Sequence, residues 1–188
     1  MLVAAAVVVS GCGADDGEGT TTSASPEAPV NPWDLPLEER PDLFDPCAEL
    51  PIEAVEEALG GPVEPIDLFT RHQPGDLMVC GWGREEVDLT VLSTWKSRTE
   101  YLEDPTFTVL DARSTVSKRT GLRALDNADT AMRGCTQMFF TSRGTVWVQV
   151  NMFDITRAFK GDRSVQPCVA LHEATESMVK HIPEGDFS

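Results

Sequence analysis

Four of the five cysteines in this chain constrain its fold more than any other feature. They are Cys47, Cys80, Cys135 and Cys168; Cys12 stands apart near the N-terminus. None belongs to a Cys-x-x-Cys pair and none has a neighbouring His, which argues against a zinc site and against thiol catalysis. In an exported chain an even set of cysteines reads as disulfides. Four cysteines allow three connectivities. The pairing Cys47–Cys80 with Cys135–Cys168 is preferred, because both loops have a separation of 33 residues and each would tie a helix end to a strand. Each bridge would contribute about 4 kcal/mol on the chain-entropy model, comparable with the whole stability of a small domain.

The N-terminus supports export. Residues 2–9, Leu-Val-Ala-Ala-Ala-Val-Val-Val, form an apolar block that runs into Ser10-Gly11-Cys12. The block suits the hydrophobic segment of a signal peptide and is too short to span a bilayer. Val-Ser-Gly-Cys at its end resembles a bacterial lipobox. That resemblance implies a signal peptide over 1–11, lipidation and acylation at Cys12, and a protein held to the outer face of the cell membrane by palmitate-type chains. Signal peptides begin with basic residues, and the first Lys or Arg here is Arg40, so the true start is expected upstream of Met1.

Residues 12–45 read as a disordered spacer. They are rich in Gly, Ser, Thr, Pro and acids, and too poor in apolar residues to offset their ordering entropy. Nine acids against Arg40 give this segment −8, half of the net charge of −16. Such a linker reaches on the order of 30 Å. Trp33 is its exception, either docked on the domain or exposed. The acidic balance also excludes a nucleic-acid surface, which needs Lys and Arg in excess.

Residues 46–188 read as one globular α+β domain. Ile52, Val55 and Leu59 share a helical face between Pro51 and a Gly60 stop. Ser97-x-x-Glu100 has capping-box spacing, with Pro105 ending a short helix. Leu171, Ala174, Met178 and Ile182 mark a helix from about Gln166 to His181. Strands are predicted at Met78–Arg84, from Val87 through Val91, and from Phe107. A hairpin is predicted from Cys135–Ser142 and Thr145–Phe153 about Arg143-Gly144. This pattern implies an antiparallel sheet with helices packed on one face, stapled by two disulfides.

The order of motifs carries a family likeness. A lipobox, a Ser/Thr/Pro spacer, Asp45-Pro46-Cys47 opening a helix that ends at Gly60, then Cys80-Gly81-Trp82 on a strand, resembles the actinobacterial lipoproteins of domain of unknown function 3558. The likeness covers residues 1–93 well and the rest loosely. It implies a Cys47–Cys80 bridge and an envelope lipoprotein. It brings no activity, cofactor or catalytic residue.

Chemistry-bearing motifs are sparse. There is no P-loop, Gly-x-Ser-x-Gly elbow or dinucleotide fingerprint. His172-Glu173 lacks the second His of a zincin helix, and Glu53, Glu56 and Glu57 read as a solvated face. Two candidate ligand contacts remain. His72 lies in a turn. Trp82 is flanked by Gly81 and Gly83, which would leave its ring open to a saccharide or peptide; the competing reading is a core Trp beside a disulfide. Arg113, Lys118, Arg119 and Arg123 form a locally basic stretch, read either as a site for anionic headgroups or as solvated strand charges. The expectation is therefore a membrane-anchored extracytoplasmic lipoprotein, a non-catalytic binding or accessory module for an unidentified envelope ligand or protein, without cofactor or metal. The alternative is an envelope hydrolase whose site is assembled from distant residues.

Overall fold

A computed structural model describes residues 30–85, 87–153 and 158–187. Its four helices begin and end where local chemistry dictates. Helix α1 (Pro46–Glu49) starts at Asp45, whose carboxylate accepts from the N–H groups of Cys47 and Ala48, with Pro46 in the first turn. Helix α2 (Ile52–Leu59) ends at Gly60, which takes φ of +80°, the left-handed cap that glycine adopts without strain. The predicted face needs one correction. Ile52 is 45% exposed, and the buried seam is Ala54, Val55, Ala58 and Leu59. Small alanines let α2 approach α4 closely, and Ser177 donates across to the carbonyl of Ala54. Helix α3 (Arg98–Glu103) carries the full capping box of Ser97 and Glu100. Helix α4 (Pro167–Met178) passes into a 3-10 turn over Val179–His181.

The strands are β1 (Glu64–Pro65), β2 (Arg71–Gln73), β3 (Leu77–Arg84), β4 (Val87–Thr94), β5 (Phe107–Val116), β6 (Arg119–Asp126), β7 (Gly134–Thr141) and β8 (Gly144–Met152). They form one antiparallel sheet in the order β1-β3-β4-β8-β7-β6-β5, with β2 also on β3. The predicted hairpin is β7–β8. Strand β6 went unread in the sequence: Leu122 and Ala124 are fully buried on it, within what looked like a basic stretch. Its Arg119 is a structural group, donating to the carbonyls of Val179, Ile182 and Pro183 beyond α4.

The two faces of the sheet differ. Helices α1, α2 and α4 cover one, over a core that includes Trp82, Leu89, Val91, Phe139, Val148 and Val150. On the other face, Tyr101 of α3 meets Phe107, Phe140 and Trp147 edge to face, above Leu122, Ala124 and Met138. Register shifts bend β5 between Val109 and Ser114, as bulges do at sheet edges. Beyond the reach of β6, the C-terminal segment continues the pairing of β7. Ser142 N–H donates to Glu184, and Phe187 N–H donates to Phe140.

Both cysteine pairs are bonded as preferred, Cys47–Cys80 and Cys135–Cys168, with Cα separations of 5.3 and 5.0 Å. The first ties α1 to β3 and the second ties α4 to β7.

The spacer boundary moves. Residues 30–45, read from composition as spacer, pack on the domain as a strap. Leu43 and Phe44 are buried. The Trp33 indole N–H donates to the carbonyl of Thr141 at 2.8 Å. Arg143, in the β7–β8 turn, donates to the carbonyls of Asp42 and Leu43 and forks onto the Glu49 carboxylate at 2.6 and 2.9 Å. Burial pushes the Glu49 carboxyl up, but Arg143 and the Asp45 N–H outweigh it and hold the group below its ordinary value. Composition misleads here because the few apolar residues are scattered among prolines and acids, each finding its own pocket.

Two consequences are measurable. Arg143→Ala should cost about 2 kcal/mol in urea unfolding, from lost charge-assisted bonds, and free the strap, seen as red-shifted Trp emission. Replacing Cys135 and Cys168 together by Ser should cost about 4 kcal/mol under oxidising conditions; an unchanged midpoint would refute a structural bridge.

Candidate functional site

Cys12 lies outside the described residues. Trp82, expected as a candidate ligand contact, is 6% exposed and sits in the helix-side core with Cys80. The flanking glycines face the other way. A Cβ on Gly81 would come within 2.9 Å of Phe69, and one on Gly83 within 3.4 Å of Ile66. Gly81 and Gly83 therefore admit the segment Ile66–Phe69 across the outer face of β3 and do not bare the tryptophan. His72 lies on β2, largely exposed, with Nδ1 3.4 Å from Asp45. His172 sits between Arg123 and Glu176. No group of three His, Cys, Asp or Glu side chains suited to a metal occurs among the described residues.

Two concave regions contrast in how their polar groups are satisfied. The larger, about 740 Å³, lies between the strap and the β4–α3 connection. Trp33 and Trp95 meet edge to face at 5.0 Å, and the Arg40 guanidinium lies over both rings while donating to the carbonyls of Leu35 and Trp33. Lys96 pairs with Asp104, and Arg98 with Asp186. Lys96 and Thr106 hold the Asp104 carboxyl down to about 2. The Ser97 N–H and hydroxyl hold Glu100 below its usual value. Most charges here already have partners, so this end works as a clasp for the strap.

The second region lies on the outer face of the sheet, where directly opposed residues share a side. One row runs Gly81, Thr90, Gln149, Thr136; the next runs Gly83, Asp88, Asn151, Gly134. Thr90, Gln149 and Asn151, with Phe69, Arg71 and Val79, line a shallow groove of about 350 Å³. Among the described residues the side chains of Thr90, Gln149 and Asn151 find no hydrogen-bond partner. The Thr136 hydroxyl is fully buried and also unpartnered. Across the Ile66–Phe69 crossing, Asp88 and Asp67 border a further cleft of about 660 Å³. Burial pushes the Asp88 carboxyl up. Unpartnered donors and acceptors gathered in a concavity are what ligands complete. This row was invisible in the sequence, because it exists only through the register of four strands.

A family model described as a protein of unknown function, DUF3558, matches residues 7–181. The chain belongs to that family. The match reaches through α4, well beyond the motifs around Cys47 and Cys80. No curated protein and no solved structure matches the chain, so the DUF3558 assignment supplies membership without an activity.

Asp88 gives a test of the electrostatics of the cleft next to the groove. Its native carboxyl titrates above the ordinary value of 3.8, so ionised Asp88 disfavours the fold at neutral pH. That burden is relieved as pH falls through the native value, and is gone below the unfolded one. Asp88→Asn should raise Tm slightly at pH 7 and leave it unchanged at pH 3.

Proposed function

We propose that this DUF3558 protein is a lipid-anchored envelope protein, acting outside the cytoplasmic membrane as a non-catalytic binding or accessory module. The paired disulfides carry this reading. Two bridges stapling helices to one sheet suit an oxidising compartment and would be at risk in a reducing cytosol. The apolar block ending in Ser10-Gly11-Cys12 supports a lipid anchor of the bacterial type. The binding role is supported by a groove lined by Thr90, Gln149 and Asn151, whose side chains have no hydrogen-bond partner among the described residues, whereas Lys96, Arg98 and Arg40 of the larger cleft are already engaged.

Metabolic labelling of expressing cells with an alkyne palmitate tests the anchor. The wild-type chain should take up label and fractionate with membranes. Cys12→Ala should lose label and leave the membrane fraction. Label persisting in Cys12→Ala, or wild-type protein recovered from cytosol with reduced thiols, would overturn the reading.

A further inference from the structure

We infer that the groove on the outer face of β3, β4 and β8 binds a neutral glycan. The inference deepens the binding-module reading and rests on it, but it is independent of the lipid anchor. Three features of the site select the ligand class.

The first is the kind of hydrogen bonding on offer. Thr90 presents a hydroxyl, and Gln149 and Asn151 present primary amides, so each side chain both donates and accepts. The hydroxyls of a sugar ring also do both, and adjacent ones span an amide. Thr136, opposite Gln149 in the same row, is fully buried outside the groove's lining, so the ligand-facing groups are Thr90, Gln149 and Asn151.

The second is charge. The one charged side chain that lines the groove among the described residues is Arg71. It turns back on its own segment and donates to the carbonyls of Leu68 and Thr70. The rest of the lining offers no counter-charge to phosphate, sulfate or uronate groups, whereas an uncharged ligand needs none.

The third is shape and position. The floor of the groove is the face of the sheet and one wall is the edge segment from Leu68 to Arg71. Strands β3, β4 and β8 are laddered to neighbours on both sides, so across the floor a peptide finds no free backbone row to extend. Phe69, held over Gly81, and Val79 give an apolar wall to the amide row, as the two-sided polarity of a pyranose requires. The volume, about 350 Å³, is at the lower end for ligand sites and suits one or two sugar units.

The test uses the full chain in detergent, titrated calorimetrically with mannotetraose, chitotetraose, a heparin tetrasaccharide and a neutral hexapeptide. At least one of the two neutral tetrasaccharides should bind. Thr90→Val and Gln149→Ala should each weaken it roughly tenfold, as expected for a lost hydrogen bond with its desolvated partner, at wild-type Tm. Asn151→Ala stands in for either variant that melts early. Arg40→Ala, in the strap clasp, should leave affinity unchanged. Failure of both neutral tetrasaccharides to bind, or binding indifferent to the groove variants, overturns the inference. Groove-dependent binding of the hexapeptide or heparin fragment alone also overturns it, while leaving a binding module in place.

Discussion

Each half of this fold is organised by one covalent tie between a helix and a strand. Cys47–Cys80 fastens the first helical segment to β3, and Cys135–Cys168 fastens the last helix to β7. The helices they secure are short: α1 is a single turn and α2 runs only Ile52–Leu59. Helices of that length are marginal alone. The bridges limit how far α1 and α4 can separate from the sheet, and α2 is held between them against α4. With α1, α2 and α4 committed to one face, the opposite face is left to a smaller aromatic cluster and to the polar rows.

What the sequence revealed was local. The Ser97–Glu100 capping box, the Gly60 stop and the alternation of β8 are each written within a few residues, and each appears as expected. The equal spacing of the cysteines was enough to favour their pairing. What it hid depends on distant neighbours. Strand β6 was obscured because its buried Leu122 and Ala124 alternate with charged or small residues that find partners elsewhere, as Arg119 does beneath α4. Gly121 looks idle in sequence, yet a Cβ there would fall 2.3 Å from the Gln137 amide, which meets Ser114 two strands away. Trp82 was ambiguous for a related reason: glycine beside an aromatic shows that space exists, but not on which side of the sheet.

The two concavities show why size alone is a poor guide to a binding site. The larger one brings together two tryptophans and six charged side chains, the composition usually sought in a ligand pocket. Lys96 and Arg98 are paired with Asp104 and Asp186, and Arg40 holds the strap. The smaller groove has the plainer composition, but its Thr90, Gln149 and Asn151 side chains have no hydrogen-bond partner among the described residues. In the candidate site, therefore, legibility was lowest where register matters most. Thr90, Gln149 and Asn151 lie as much as 61 positions apart in the chain, and only strand pairing makes them neighbours.

The strap has a mechanical corollary. Tension applied N-terminal to Val30 would not begin by peeling an outer strand. It would reach the β7–β8 turn through Trp33 and Arg143, where two interior strands of the sheet meet. Load entering there is shared by the ladders on either side of β7 and β8. A domain loaded in this way can be tugged by its own terminus while its outer groove keeps its shape.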